Sequence, residues 1–181
     1  GLLAVLPGDI QTGVIGQLVQ DVFLLSTRLK EIENSIDVVV IDTAPTPSLL
    51  HGVIYLATDG IIFPTLCETF SLRGIVKTIA NLDRFSNQRE TQLGTRITPI
   101  GIIPNMYRGK TVEHTENLQA LRDQFGEMVW EPIRQGIIWS ESTNMMRPVF
   151  TLEPTSTAAR EAWDIVSRVE GALNVIQETT S

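Results

Sequence analysis

Asp42 is the residue whose type and setting most directly suggest chemistry. It follows the apolar run Val38-Val39-Val40-Ile41 and precedes Thr43-Ala44-Pro45-Thr46-Pro47. A carboxylate at the carboxyl end of a buried strand, just before a helix N-terminus, can hold a magnesium ion through water beside a phosphate chain. The same aspartate could instead cap the turn that follows it, and position alone leaves both roles open. The turn itself is short and punctuated by Pro45 and Pro47. Such a segment keeps its backbone rigid, as one that responds to a γ-phosphate must. Asp37 belongs to the opposite edge of the sheet and reads as solvated.

A second phosphate signal, Gly109-Lys110-Thr111, fails on inspection. A phosphate loop needs a glycine five residues before Gly109, and that position is Pro104. The intervening Asn105, Met106, Tyr107 and Arg108 are bulky where backbone N–H groups would have to cradle an anion. The segment reads as a surface loop with two basic residues. No nucleophile–base pair stands out. His51 and His114 read as surface residues, and Met145, Met146 and Trp139 as packing. Cys67 is the only cysteine, so the chain cannot form an internal disulfide, and a Cys/His metal site finds too few ligands.

The elements that must position these residues follow from periodicity. Continuous branched apolar runs occur at Leu2–Leu6, Val38–Ile41, Gly60–Leu66, Ile97–Pro104 and Met128–Ile133, the pattern of strands covered on both faces. Helical spacing lies between them. Thr46 and Pro47 suit the cap and first position of a helix whose Leu49, Leu50, Val53, Ile54 and Ala57 share a face. Ser71 caps a second helix with Leu72, Ile75, Val76, Ile79 and Leu82 on its inner stripe. Thr111 opens a third, with Leu118, Leu121 and Phe125 aligned before Gly126 stops it. After Pro154 comes a last helix carrying Ala159, Ala162, Trp163, Val166, Val169, Leu173 and Ile176, and residues 11–33 also read as helical. Alternating strands and helices predict an α/β fold: a doubly wound, mostly parallel sheet with helices on both faces. At 181 residues the chain is expected to form a single domain over 1–181.

A net charge of −7 argues against a wholly electrostatic nucleic-acid binder while leaving room for a local basic face. No apolar run approaches the length of a membrane span, and the lack of disulfides fits a reducing cytoplasm. Gly1-Leu2-Leu3-Ala4-Val5-Leu6 begins inside an apparent buried strand, so a fragment boundary is expected there.

Five segments, in order, carry a family resemblance. They are Asp37–Pro45; Phe63-Pro64-Thr65-Leu66-Cys67-Glu68-Thr69-Phe70-Ser71-Leu72-Arg73-Gly74; Gly101-Ile102-Ile103-Pro104-Asn105-Met106-Tyr107; Glu141-Ser142 with Arg147-Pro148-Val149; and Pro154-Thr155-Ser156-Thr157-Ala158-Ala159. Together they resemble the ParA/Soj group of deviant Walker ATPases, which partition chromosomes and plasmids. The first segment is similar to that family's Walker B strand and switch II. The resemblance implies a P-loop-NTPase-like fold whose N-terminal part, with the lysine-rich phosphate loop and the switch I aspartate, would precede Leu2–Pro7 and is missing here. By position, Asp42 would bind a water on Mg2+, and Thr43, Ala44 and Pro45 would respond to the γ-phosphate of ATP. Asn105 would sit near the adenine, with Met106 and the Arg134–Ile138 loop as the other wall. Arg134 departs from the proline the family often has there, and Arg108 from a common acidic residue.

For the parent protein the resemblance implies a cytoplasmic ATP-dependent homodimer that binds DNA without sequence preference and answers a ParB-like partner. Arg108, Lys110 and Arg147 are the DNA contacts it would suggest. This chain alone is expected to bind ATP weakly and hydrolyse none. A MinD- or Mrp-like ATPase is the nearest alternative, set back by the lack of a membrane helix and by Glu68-Thr69-Phe70-Ser71-Leu72. A nucleotide-free interaction module that kept the sheet and lost catalysis is the other.

Overall fold

Parallel strands cannot be joined by a tight turn, and the chain meets that requirement with a long crossover helix. The computed structural model describes residues 3–8, 20–43 and 49–180. Its elements run α1 (Leu24–Lys30), α2 (Leu49–Ala57), β1 (Gly60–Leu66), α3 (Thr69–Leu93), β2 (Thr98–Asn105), α4 (Val112–Phe125), α5 (Ile137–Asn144), α6 (Val149–Leu152) and α7 (Thr157–Thr180), with 3₁₀ turns at Glu33–Ser35 and Gly126–Met128. The fold is α/β with a parallel sheet, as expected. Among the described residues, no helix is long and apolar enough to cross a membrane.

The described residues form two compact units, one reaching to Thr58 and including Arg84–Ile97, the other holding Asp59–Asp83 and everything described from Thr98. In the first, Val53, Leu56 and Ile97 are buried, and the Tyr55 and Phe85 rings meet edge to face at 5.3 Å. Two polar residues of α3, Ser86 and Arg89, are buried here. Ser86 Oγ accepts the Ile97 N–H at 3.0 Å, and Arg89 Nη1 donates to the Thr58 carbonyl. Burial pushes the Tyr55 phenol above its ordinary value.

This unit also contains two departures from the sequence reading. Residues 3–6 and 38–41, expected as buried strands, pair with no strand among the described residues; 3–6 and 38–40 lie exposed, Val40 at 88%, and Ile41 is half-buried. Asp42, expected at the end of such a strand, is therefore an exposed residue on an unpaired segment. The reason is physical. Branched apolar residues favour strands only where a neighbouring edge supplies hydrogen bonds and covering surface, and a local run cannot provide either. Leu2, Thr46, Pro47 and the residues from 9 to 19 lie outside the described set.

The second unit is a β-α-β arrangement with β2 as its spine. β1 pairs with β2 in parallel from Gly60↔Thr98 to Leu66↔Asn105, with a bulge after Ile61. On the other edge, residues 129–135 run alongside β2 through separate bridges, Ile102↔Val129 and Tyr107↔Arg134. The strand expected at Met128–Ile133 is thus a broken ribbon. Pro104 and Pro132 each lack an N–H, which interrupts the ladder where regular pairing would continue. The Trp130 N–H still reaches the Ile102 carbonyl at 2.9 Å and the Ile133 N–H the Pro104 carbonyl at 2.8 Å.

The helices pack as their stripes dictate, with informative exceptions. α3 begins at Thr69, ahead of Ser71, its first residue held by Glu113 Oε1 at 3.3 Å from Thr69 Oγ1. Ile75 and Leu82 are buried, but Val76 faces outward. Gly126 stops α4 with φ +55, as expected. Trp163 and Val166 on α7 are more exposed than the stripe predicted, and Trp163 lies 4.5 Å from Phe150 on the outside.

Two measurements probe this packing. A Cβ on Gly101 would stand 2.3 Å from Trp130 Cε2, whereas one on Gly74 in α3 meets nothing within 4 Å. Urea denaturation of Gly101→Ala is expected to show a loss of about 1–3 kcal/mol. Gly74→Ala should gain about 0.5–1 kcal/mol from helix propensity.

The Cys67 thiol, fully buried, is held above its ordinary value of 9.0 by desolvation, partly offset by Arg122. A raised folded-state pKa stabilises below the unfolded value and loses that contribution as pH rises through the folded one. Stability should therefore decline above about pH 9, and Cys67→Ala should flatten that decline in a pH series of melts.

Candidate functional site

The exit of β2 gathers most of the residues named from sequence. Asn105 ends the strand, and its Oδ1 accepts the Met106 N–H at 2.8 Å. Met106 turns the chain with φ +50, an uncommon conformation for a side-chain-bearing residue and one that needs such local support. The Tyr107 N–H then returns to the Ile133 carbonyl at 2.9 Å, and the Gln135 N–H to the Tyr107 carbonyl at 3.0 Å. Residues 133–135 are thereby clamped beside Met106 and Tyr107.

Arg134 is held by its backbone on both sides. Its N–H donates to Glu161 Oε2 at 3.1 Å, and its carbonyl accepts the Trp139 indole N–H at 3.1 Å. Arg134 Nε stands 2.8 Å from Glu161 Oε1 as an ion pair, although its N–H direction misses hydrogen-bond alignment. Ser156 caps α7 by accepting the Ala159 N–H at 3.1 Å. A cleft of about 270 Å³ opens between these parts, with Ile138, Trp139 and Ala158 as apolar walls and Gln135, Ser156 and Glu161 at its polar edge. That volume is at the small end for ligand sites and suits one flat ring system better than a large ligand.

Arg134 lines the cleft, while Asn105 and Met106 adjoin it through Tyr107 and do not line it. Arg108 Nε donates to Gln135 Oε1, which engages one of the suggested basic contacts. Lys110 is exposed, and Arg147 Nη2 folds onto the Thr151 carbonyl at 2.9 Å. The Gly109-Lys110-Thr111 turn closes on itself, the Thr111 N–H donating to the Arg108 carbonyl at 2.9 Å. Asp42 and Thr43 are exposed residues of the other unit, and Ala44 and Pro45 lie outside the described residues. Among the described residues no cluster of three or more His, Cys, Asp or Glu could cage a metal. Asp42 is one exposed carboxylate, and residues 44–48 beside it lie outside the described set; a magnesium ion that keeps its waters needs few protein oxygens.

Sequence reasoning missed Glu161, Trp139 and His114. Glu161 sits on the inner stripe of α7 with its side chain only 14% exposed, and a glutamate in phase with Ala158, Ala162 and Ile165 was the available signal. Trp139, read as packing, spends its N–H on Arg134, as a half-buried indole must find some acceptor. His114, read as a surface residue, is 6% exposed because it is in phase with Leu118, Leu121 and Phe125.

Comparison with known proteins bears on this geometry. Residues 8–95 match the family described as AAA domain. An uncharacterized protein of Mycobacterium tuberculosis is 30% identical over 136 residues, covering 75% of this chain and 42% of that one. The chromosome-partitioning ATPase Soj of Thermus thermophilus is 28% identical over 153 residues, covering 81% of this chain and 60% of Soj. Among solved structures, a Cyanothece McdA–ATP complex superposes with a TM-score of 0.64 at 16% identity, covering 92% of this chain and 59% of McdA. The chain spans about half the length of the curated relatives it matches.

The paired roles of Glu161 can be separated by mutation. Glu161→Ala removes the acceptor of the Arg134 N–H and should cost about 1 kcal/mol in urea denaturation. Arg134→Ala removes only a largely exposed charge partner and should cost about 0.5 kcal/mol or less. The double variant should match Glu161→Ala alone.

Proposed function

We propose a function from one premise: the chain belongs to the ParA/Soj-type family of partitioning ATPases. It acts as part of an ATPase that serves chromosome or plasmid partitioning in the cytoplasm. The whole protein binds ATP with magnesium, forms a homodimer, holds DNA without sequence preference and answers a ParB-like partner. The kinship with Soj along most of this chain carries the reading. The ring-sized cleft beside the β2 exit supports the nucleotide part of it.

In this reading the adenine enters the cleft against Trp139, Ile138 and Arg134, while Asn105 and Met106, which adjoin the cleft through Tyr107, stand near the base without lining its pocket. Trp139 and Glu161 hold the Arg134 backbone in place, so the wall meets the base already formed. Asp42 holds a water of the magnesium shell, and Thr43, Ala44 and Pro45 follow the γ-phosphate. The ion supplies positive charge against the phosphate oxygens when bound. Arg108, Lys110 and Arg147 are the DNA-contacting candidates, and their contribution would diminish with salt.

This chain on its own should bind ATP weakly and hydrolyse none. ATP titration should shift Trp139 emission, with the response lost in Trp139→Phe, while phosphate release stays at the level of Asp42→Ala. Turnover above that control would overturn the expected inactivity. An ATP-silent Trp139 at millimolar nucleotide would overturn the base-binding reading.

A further inference from the structure

The turn after β2 is fixed by contacts that reach across the structure, and one of them depends on a proton. The Arg108 backbone N–H donates to Nδ1 of His114 at 3.2 Å, and the imidazole is buried at 6% exposure on the inner stripe of α4. The Tyr107 ring lies 6.1 Å away at a 46° tilt. Arg108 in turn reaches Gln135 Oε1, and Gln135 donates to the Tyr107 carbonyl at 3.0 Å. His114 is thus joined, through a single residue, to the ribbon that carries Arg134.

An imidazole nitrogen accepts a hydrogen bond only while it carries no proton. The observed contact therefore requires the neutral ring with its hydrogen on Nε2. A second proton would turn Nδ1 into a donor facing the Arg108 N–H, which leaves two donors opposed in a buried place. The charged or titratable groups on the elements around the ring are Tyr107, Arg108 and Lys110 on the turn, Glu113, Glu116, Arg122 and Asp123 on α4, Cys67 and Glu68 at the β1 exit that α4 reaches through Asn117, and Glu131 and Arg134 on the ribbon bridged to Tyr107. Glu113, the acid nearest in sequence, is engaged at Thr69.

We propose that His114 is a positioning residue that locks the Met106–Lys110 turn to α4 only while its imidazole is neutral. The second proton releases the turn. Its consequence for a bound base rests on the nucleotide reading above; the lock itself does not.

The test is amide exchange on the whole 181-residue chain, with the ring nitrogens of His114 followed by ¹⁵N spectra from about pH 8 to about pH 5, the interval over which histidines as a class change charge. After correction for intrinsic rates, the Arg108 amide should exchange about tenfold faster once His114 holds two protons, the scale of one lost hydrogen bond. His114→Asn places an amide oxygen near the position of Nδ1 and should keep Arg108 protected throughout. His114→Leu should leave it unprotected at every pH, and His114→Asn decides the matter should the leucine variant unfold. Arg108 protection that is unchanged across the His114 titration, or a His114 that stays neutral down to about pH 5, overturns the proposal. The same samples titrated with ADP separate the two ideas. No ADP response of Met106 at any pH defeats the base-binding reading while the exchange result stands. An ADP response with pH-independent Arg108 exchange defeats the lock alone.

Discussion

β2 is the constraint on which the second unit depends, because both of its edges are occupied. β1 pairs along one side, and the 129–135 ribbon follows the other through isolated bridges. A strand bonded on both edges and covered by helices has no freedom to shift register, since a slip would break two ladders together. Its terminal residues therefore emerge at a defined place, and Asn105, Met106 and Tyr107 inherit that definition. Gly101 makes the arrangement possible by leaving room for the Trp130 ring to lie against β2.

Proline shapes the other side of this ribbon. Pro64, Pro99 and Pro104 fall within the strands and Pro132 within the ribbon. Each removes a donor, so the ladder is intermittent and the remaining bonds carry the alignment. The bulge after Ile61 occurs where Pro99 sits opposite, and the ribbon resumes pairing with the Ile133 N–H on Pro104. An intermittent ladder bends more readily than a regular one, and here it lets residues 133–135 turn around the β2 exit.

The readable part of this architecture was the part with local causes. β1, β2, α4 with its Gly126 stop, and the long last helix were legible because apolar period and capping chemistry reside in neighbouring residues. The unread part was nonlocal. Val38-Val39-Val40-Ile41 has the composition of a buried strand, yet composition states only what a segment can bury against. His114 and Glu161 were misjudged or missed because polar residues on an apolar stripe are interpretable only once their partners are known. Arg108 and Arg134 supply those partners from the far side of the β2 exit. Asp42 is a like case: the sequence suggested the end of a buried strand, and the residue stands exposed on a segment unpaired among the described residues.

The polar side chains around the cleft are mostly spent on the protein's own backbone. Glu161 accepts from Arg134, Trp139 donates to Arg134, Ser156 accepts from Ala159, and Asn105 Oδ1 accepts from Met106. An atom engaged in this way reads the edge of a ligand only by sharing or giving up a bond it already makes, although the Ser156 hydroxyl hydrogen and the Asn105 amide N–H groups remain as donors. What the cleft offers a ligand is then largely shape and apolar surface, from Ile138, Trp139 and Ala158, with the polar edge of Gln135, Ser156 and Glu161 beside it. A rigid wall of that kind favours flat rings as a class and distinguishes weakly between rings of similar size, because strong discrimination comes from polar groups left unpaired by the wrong ligand. A ligand seated there would therefore be selected mainly by groups beyond these walls. The walls fix only where a flat ring would rest.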